Sequence, residues 1–390
     1  MIRKTVYAAC VAAALYLLMP FGGTWFYLNN LRPGYVLLLS FLLAVIFTPL
    51  AIKMAFKYKI LDIPGARKIH KKPIPRIGGL ALFFAFLIAV LRNFHFPKEV
   101  VGLMAGTLII FVAEFMDDIK SNSAFFRLGA QVAAVIVLIA SGVYITVIPD
   151  FPGSTILDYL LTLFWVVGII NAVNFLDGVD GLATGLGIIS GLCFFYIVYF
   201  TGQTQLSYLI LAFIGTCLGF ILFNFKPAKV FLGDSGSSLI GFLLASFAII
   251  GVWNSKNAVI GSAMPILVLG IPIFDMIYTT ISRILNGSVK SVKEWIEFTG
   301  KDHFHHRLMH IGFSERATVV FLYCLNITVG LSAIALIHST EREAYLLLFQ
   351  AVFIFFIIIV LMRVGREVSP EKVSKVGKVE KVRKVVKGIK

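Results

Sequence analysis

Charged residues are scarce in this chain of 390 residues: lysine, arginine, aspartate and glutamate together make up only 14% of it. Hydrophobic residues make up 59%, and the mean hydropathy is +0.92. Ordinary water-soluble domains carry about 25% charged residues, so that class is excluded. Cysteine is also scarce: the four cysteines lie in apolar stretches without paired spacing, which predicts no disulfide framework. The composition indicates an integral membrane protein.

The apolar runs approach or exceed the roughly 20 residues that a helix needs to cross the hydrocarbon core. They predict an all-α polytopic bundle of about 11 to 12 transmembrane helices. The first run has an alternative interpretation as a signal peptide, because Arg3 and Lys4 precede a short apolar stretch. The apolar stretch resumes at residues 25–28, which favours a span. The candidate spans are residues 5–28, 33–56, 77–92, 100–117, 126–147, 155–172, 182–201, 206–225, 237–252, 258–282, 317–337 and 344–362.

Basic residues are distributed very unequally between the two sets of connecting loops. Of the 35 lysines and arginines, one set of loops holds only Arg32, Arg92, Lys98, Lys256 and Arg342. The positive-inside rule therefore predicts that both termini and the larger loops lie on the cytoplasmic side of the cell membrane. The net charge of +15 is then a topology signal, and no nucleic-acid partner is expected. A basic inner surface also suits anionic membrane lipid and a phosphorylated substrate.

Five aspartates stand close to apolar spans, all on the predicted cytoplasmic side. Asp117 and Asp118 end the fourth span, Asp177 and Asp180 follow the sixth, and Asp234 precedes the ninth. An ionised carboxylate in a spanning helix costs about 2.5–3.5 kcal/mol unless it faces protein, water or a cation. Taken one at a time, Asp177, Asp180 and Asp234 could be ordinary turn or cap residues, because Asp-Gly and Gly-Asp-Ser are common in turns. Their common location favours a functional site.

A cluster of carboxylates at a membrane surface is suited to a hard divalent cation. Mg²⁺ takes one or two carboxylates together with substrate phosphates and waters, so we expect Mg²⁺, with Mn²⁺ as the alternative. Asn171, Asn174 and Asn224 lie nearby in the sequence and would add oxygen ligands or hydrogen bonds. The pattern predicts a phosphate-handling site.

A second cluster lies in the polar segment 283–316, where His303, His305 and His306 precede Arg307. A zinc site is one interpretation, but no cysteine accompanies the histidines. A solvated loop is another. The interpretation we favour is a binding site for the pyrophosphate and sugar of a donor, because arginine matches phosphate oxygens and imidazole donates or accepts hydrogen bonds.

Five motifs together resemble the polyprenyl-phosphate N-acetylhexosamine-1-phosphate transferases, the superfamily of MraY and WecA. The resemblance runs from about residue 33 to residue 365 and keeps the order of the family's motifs. The histidine pattern is similar to the WecA and TagO branch, whereas the MraY branch tends to carry three consecutive histidines. The motifs are MDD at 116–118, NAVNFLDGVDGLATG at 171–185, FLGDSGS at 231–237, PIFD at 272–275 and DHFHHRL at 302–308.

The resemblance implies a magnesium-dependent transfer of N-acetylglucosamine 1-phosphate, or of a close N-acetylhexosamine 1-phosphate, from its UDP-sugar to polyprenyl (undecaprenyl) phosphate. The products would be a polyprenyl-diphospho-sugar and UMP, in the initiating step of a cell-envelope glycopolymer. Transfer of phospho-MurNAc-pentapeptide is the alternative within the superfamily. An anionic-substrate transporter or flippase is the alternative from another class, but it predicts charges near mid-membrane and internal repeats, and the sequence has neither.

The resemblance also distributes roles among the residues. Asp234 and Asn174 are expected at the metal, and Asp117 or Asp118 at the lipid phosphate, either taking its proton or forming an acyl phosphate as a covalent nucleophile. Asp177 is placed in the catalytic group without a firm role. The nucleotide and sugar are assigned to Asp180, Asn171, Asn224, His303, His305, His306 and Arg307.

Lys71, Lys72 and Arg76 have two interpretations, as guides for the lipid phosphate or as topology determinants. Asp275, in the motif PIFD, is expected to orient a loop residue rather than to take part in the chemistry.

We divide the chain into three parts. Residues 1–30 form an added transmembrane segment that the resemblance does not cover, and residues 31–365 form the transferase domain. Residues 366–390 are a basic tail with a lysine at every third position from Lys372, which produces no amphipathic face and predicts disorder. A homodimer is a further expectation.

Overall fold

The computed structural model describes residues 4–64, 72–93, 96–149, 151–253, 257–298, 300 and 302–367. Within them the chain forms sixteen α-helices, one short 3₁₀ turn at Leu336–His338 and one antiparallel pair of two-residue strands. The strands are β1 (Leu61–Asp62) and β2 (Ile74–Pro75). The helices are α1 (Lys4–Leu18), α2 (Pro20–Leu28), α3 (Arg32–Tyr58), α4 (Gly78–Asn93), α5 (Lys98–Ile119), α6 (Ala124–Ala140), α7 (Ser154–Leu176), α8 (Leu182–Phe200), α9 (Thr204–Asn224), α10 (Gly233–Ile250), α11 (Ala258–Val268), α12 (Gly270–Leu285), α13 (Val292–Glu297), α14 (Phe304–His310), α15 (Glu315–Ala335) and α16 (Glu341–Glu367).

The predicted all-α polytopic architecture is confirmed. In the described part of the chain, eight helices are long and apolar enough to cross a bilayer alone: α3, α5, α7, α8, α9, α10, α15 extended by its 3₁₀ turn, and α16. Two bent pairs bring the number to ten at most, if each pair is counted as one span, and α4 and α6 are shorter apolar helices. Each of the twelve segments predicted from hydropathy therefore corresponds to one helix or to one bent pair.

Two of the predicted spans are broken. Helices α1 and α2 meet at 76°, and α11 and α12 at 80°. Pro272 lies in the first turn of α12 and has no N–H to donate to the carbonyl of Val268. The hydroxyl of Ser190 donates to that carbonyl instead, at 3.1 Å. The break is thus stabilised by a neighbouring helix, which hydropathy alone does not reveal.

Helix α10 lies at the centre of the bundle, packed against α4, α5, α7, α8 and α9. In its most apolar stretch of 18 residues, 78% of α10 is buried. The corresponding share for α16 is 17%, so most of α16 faces the surroundings of the bundle. Since Asp234 lies in the first turn of α10, the end of this central helix positions the candidate site.

Glycines allow α9 to approach α3 closely. A Cβ on Gly219 would lie 2.4 Å from the carbonyl oxygen of Phe41, and one on Gly215 would lie 2.1 Å from the hydroxyl of Ser40. Small residues at such contacts are typical of packed transmembrane helices.

The N-terminal segment packs onto the bundle. Tyr35 of α3 donates its hydroxyl to the carbonyl of Leu17 at 2.7 Å, and Tyr7 of α1 donates to that of Ile46 at 3.3 Å. Helix α2 turns away from α1 and exposes Phe21, Trp25 and Tyr27.

Replacement of Gly219 by alanine is expected to destabilise the protein by about 1–3 kcal/mol, because the added methyl group meets the backbone of α3. A methyl group added at Gly129 in α6 would have nothing within 4 Å, so Gly129→Ala is the matched control. Thermal unfolding in detergent should show a lower midpoint for Gly219→Ala and an equal or higher one for Gly129→Ala. Equal midpoints for the two variants would contradict the close α3–α9 contact.

Candidate functional site

Asp118 caps the start of α10 from the end of α5. Its Oδ1 accepts from the backbone N–H of Asp234 at 2.9 Å, and its Oδ2 accepts from the backbone N–H and the hydroxyl of Ser235 at 3.1 and 2.5 Å. Arg76 lies 3.6 Å from Oδ1. A carboxylate at a helix N-terminus satisfies N–H groups that have no partner within the helix and interacts favourably with the helix dipole. Gly233 has a φ of +74°, and a Cβ there would lie 2.7 Å from Oδ2 of Asp118, so the cap requires glycine.

Asp117 points to a different place from its neighbour. Its Oδ1 accepts from the backbone N–H of Asn122 at 2.6 Å, and its carboxyl is near enough to that of Asp234 for the two to interact electrostatically. Nη1 of Arg127 lies 3.8 Å from Oδ2 of Asp117 and 3.4 Å from Oδ2 of Asp234. Two carboxylates thus share one arginine at this point.

Asn174 joins the same cluster from the last turn of α7. Its Nδ2 donates to Oδ1 of Asp234 at 3.2 Å and to the hydroxyl of Ser237 at 2.9 Å. The predicted metal residues Asp234 and Asn174 are therefore neighbours in space, although 60 positions separate them in the chain.

The donor set of this cluster fits a hard cation. Asp117 and Asp234 supply carboxylate oxygens and Asn174 an amide, which are ligands that Mg²⁺ prefers. Among the described residues, no three His, Cys, Asp or Glu side chains converge as a complete metal site. The protein would therefore supply few of the ligands, and substrate phosphates and water would complete the shell, as is usual for Mg²⁺.

Asp177 and Asp180 lie on the turn that follows α7. The backbone N–H of Ala228 donates to Oδ2 of Asp180 at 3.0 Å, which ties the turn to the loop before α10. Desolvation, followed by the charges of Asp234, Asp118 and Asp180, raises the pKa of Asp177 well above its usual range. The raised pKa marks a site that a positive ligand would stabilise.

Asp275 organises the histidine segment, residues 302–308. It is fully buried, and its carboxylate lies 2.8 Å from Nδ1 of His303 and accepts from the backbone N–H of Phe304 at 2.6 Å. Nη2 of Arg283 lies 3.2 Å from Nε2 of the same histidine. The ring of His303 stacks on Phe175 of α7, with the ring centroids 4.7 Å apart. This is the geometry of a positioning residue, the role expected of Asp275.

His305 lies against the turn that carries Asp177. It is fully buried, and neither ring nitrogen has a hydrogen-bond partner in the described part of the chain. A Cβ on Gly178 would lie 2.4 Å from Nε2 of His305. Burial, with the neighbouring imidazoles of His306 and His303, lowers the pKa of His305 well below its usual range, so the ring is neutral at neutral pH. The ring of His306 is 4.1 Å from it, centroid to centroid.

Two predicted substrate residues are engaged elsewhere. Arg307 donates to the carbonyl of Asp302 at 2.5 Å and to the hydroxyl of Ser282 at 2.9 Å, and it lines a cavity of about 140 Å³ beside α16. Asn224 is buried, accepts from the hydroxyl of Thr184 at 3.0 Å and donates to the carbonyl of Val230 at 3.1 Å. The structure does not bring either side chain to the carboxylates.

Three groups near the site have no predicted role from sequence. Arg127 figured only as a topology charge, although it contacts both Asp117 and Asp234. Glu114, one turn before Asp117, is buried and accepts from Gln131 at 3.3 Å. Gln131 in turn accepts from Asn171 at 2.8 Å, so Asn171 belongs to this buried chain and not to the cluster around Asp234. An acid inside an apolar run was the available signal for Glu114.

The basic residues proposed for the lipid phosphate differ in their location relative to the carboxylates. Arg76 lies at the cluster through its ion pair with Asp118, and Lys72 is exposed. Lys71 lies outside the described residues, as do residues 368–390 of the basic tail.

Known proteins resemble this chain along most of its length. Residues 100–252 match Glycosyl transferase family 4. A probable undecaprenyl-phosphate N-acetylglucosaminyl 1-phosphate transferase of Bacillus subtilis is 34% identical over 85% of this chain and 90% of the relative. The decaprenyl-phosphate N-acetylglucosaminephosphotransferase of Mycobacterium leprae is 33% identical over 77% and 83%. The undecaprenyl-phosphate alpha-N-acetylglucosaminyl 1-phosphate transferase of Escherichia coli K12 is 30% identical over 76% and 81%.

The chain belongs to the polyprenyl-phosphate N-acetylhexosamine-1-phosphate transferase superfamily. The predictions of this superfamily, of an enzyme and of a multi-pass membrane protein are confirmed. The relatives carry transferase names, so they lend nothing to the transporter alternative. The match to Glycosyl transferase family 4 includes all five aspartates but ends before the histidine segment of this transferase.

Replacement of Asp118 by asparagine is expected to destabilise the transferase by about 1–3 kcal/mol, because an amide cannot accept from all three donors at the start of α10. Asp117→Asn is the matched control, since Asp117 accepts a single backbone hydrogen bond and lies beside another carboxylate. Thermal unfolding should show a lower midpoint for Asp118→Asn only. Equal loss in both variants would refute a special structural role for Asp118.

Proposed function

We propose that this transferase moves N-acetylglucosamine 1-phosphate from UDP-N-acetylglucosamine to a polyprenyl phosphate, releasing UMP. The observation that carries the proposal is the meeting, at the end of α7, of an oxygen-rich cluster (Asp117, Asp234 and Asn174) with a buried histidine segment. An acceptor phosphate and a donor pyrophosphate need such adjacent sites. The names of the relatives support N-acetylglucosamine as the sugar.

Asp117 is the better candidate of the aspartate pair for the acceptor side. Both carboxylate oxygens of Asp118 are occupied by α10, whereas Asp117 faces Asp234 and Arg127 at the cluster. A phosphomonoester has a second pKa of about 6, so a carboxylate beside it can take the remaining proton as the phosphate attacks. Arg127 would hold the two carboxylates in place and reduce the repulsion of an incoming anion.

Asp234 and Asn174 would hold Mg²⁺, with Asp117 adjacent. When bound, the cation supplies electrostatic stabilisation of the charge on the donor phosphates and on departing UMP. The raised pKa of Asp177 supports the same location for a positive ligand. Mn²⁺ is the alternative metal.

The donor would lie between the turn of Asp177 and Asp180 and the histidine segment. Neutral His305 has two unpartnered ring nitrogens against Gly178, so it is prepared to form hydrogen bonds with a pyrophosphate or a sugar hydroxyl. Asp275 contacts one ring nitrogen of His303 and Arg283 contacts the other, so the ring is fixed and would line the donor site without binding the donor through its nitrogens. Asp180 remains our candidate for the uridine.

The wider context follows from the charge distribution of the sequence. Basic loops at the aspartate end of the bundle predict that the site faces the cytoplasm from the cell membrane. The reaction would then begin a cell-envelope glycopolymer. A UDP-muramoyl-pentapeptide donor stays the second candidate on the resemblance alone, and homodimerisation stays a prediction.

Purified enzyme with UDP-N-acetylglucosamine, undecaprenyl phosphate and Mg²⁺ is expected to release UMP. Chelation by EDTA should abolish release, and added Mg²⁺ should restore it, because the cluster needs a cation beside two anionic substrates. Release with another UDP-sugar only would shift the donor assignment. Absence of UMP with every donor would refute the proposed activity.

Replacement of Asp117 by asparagine is expected to lower kcat for UMP release by 100-fold or more, within the about 10²–10⁴-fold range of general-base catalysis. Asp275→Asn is expected to act mainly on the KM for the UDP-sugar, because Asp275 orients the histidine segment.

Rapid quenching of enzyme with donor and no lipid distinguishes the two routes for Asp117. A trapped phosphosugar on the protein would establish the covalent route and overturn direct attack.

A further inference from the structure

The far end of the bundle carries a cavity that the transferase reaction does not use. Helix α4 begins beside Ser235, at the aspartate end, since a Cβ on Gly79 would lie 2.3 Å from that hydroxyl. Its 16 residues span about 24 Å, which places Arg92 and Asn93 at the opposite end. There the ends of α2, α3 and α4 line a cavity of about 290 Å³.

Two arginines line this cavity, and neither has a carboxylate partner among the residues that the structure describes. Nε and Nη2 of Arg92 donate to the carbonyls of Leu18 and Met19 at 3.3 and 3.4 Å. Arg32 donates to the carbonyl of Asn93, and its guanidinium lies 4.9 Å from the centre of the Tyr208 ring. None of the residues lining the cavity is acidic, and neither arginine forms an ion pair within the described residues. In the described part of the chain, both guanidinium groups therefore contact only neutral groups.

Unused donors remain on both guanidinium groups. Each has five N–H groups, and the bonds above use only a few of them. The other polar groups lining the cavity are Thr24, Tyr27, Tyr35 and Asn93. Arginine forks match phosphate oxygens in geometry as well as in charge.

The location of α2 indicates where the ligand comes from. Because α2 makes an angle of 76° with α1, the two helices do not continue as one straight span. Helix α2 exposes Phe21, Trp25 and Tyr27, and aromatic side chains of this kind are enriched at membrane–water interfaces. These aromatic side chains favour lipid headgroups as the surroundings of the cavity.

We propose that Arg32 and Arg92 form a binding site for the headgroup phosphate of an anionic phospholipid in the leaflet opposite the aspartates. The phosphate lies between the two guanidinium groups, and the acyl chains lie along the exposed aromatic side chains of α2. The site joins the N-terminal helices to α4 through the bonds of Arg92 to the α1–α2 junction. It is independent of the proposed transfer reaction, because its residues lie at the other end of the bundle.

The test is native mass spectrometry of the full chain in detergent with phosphatidylglycerol or phosphatidylcholine. We expect wild-type protein to retain one phosphatidylglycerol at least tenfold better than phosphatidylcholine. The double variant Arg32→Gln/Arg92→Gln keeps N–H donors for the backbone carbonyls but loses both charges, and should lose this preference. Lys98→Gln, which removes an exposed charge at the same end but outside the cavity, is the matched control and should retain it.

Further arms separate the sources of phosphate. Arg92→Lys keeps the positive charge but lacks the planar guanidinium group, so its preference for phosphatidylglycerol should lie between those of wild type and the double variant. A melting curve for each variant shows that it is folded. Unchanged preference in Arg32→Gln/Arg92→Gln overturns the site. Displacement of the lipid by millimolar inorganic phosphate, or retention of polyprenyl phosphate that falls tenfold in Arg32→Gln/Arg92→Gln, overturns the assignment to a phospholipid.

Discussion

The hydrogen bonds between Asp118 and the start of α10 are the constraint on which the rest of the site depends. They join the end of α5 to the first turn of the central helix, and that turn carries Asp234. With α10 held in this way, Asp117 on α5 and Asn174 on α7 meet around Asp234. A buried carboxylate is costly by itself, but a helix N-terminus compensates it through its free N–H groups and its dipole. Asp118 thus holds the candidate site together, and Asp117 is the member of the pair that we propose acts in it.

The end of α7 is the second junction, because it touches both halves of the site. Asn174 reaches the carboxylates, Phe175 stacks on His303, and Gly178 lies against His305. These contacts occur within five consecutive positions, so a small movement of this end would shift the proposed acceptor and donor sides together. The buried salt-bridge and hydrogen-bond network of Asp275 holds the histidine segment from the opposite side.

Hydropathy and motifs predicted much of this architecture, and the failures have physical causes. Twelve apolar segments were found, but not the bends, since a proline and a hydroxyl on another helix decide one of them. The motifs supplied the residues of the candidate site. The sequence could not distinguish the roles of Asp117 and Asp118, because consecutive residues on a helix point about 100° apart. In the sequence, Arg127 resembled any topology charge, and only the folded chain places it beside the carboxylates. Asn224, which we assigned to the donor, forms its hydrogen bonds inside the bundle.

Helix α12 lies at 80° to α11 and is strongly two-sided: Ile277, Ile281 and Ile284 are exposed, whereas Asp275 and Arg283 are buried. A helix of this kind rests at a depth set by the boundary between headgroups and acyl chains. The carboxylates, by contrast, stand at the ends of helices whose length spans the bilayer. A thicker or thinner membrane would therefore displace the helix ends relative to α12, and the fit between the two halves of the site becomes a function of bilayer thickness.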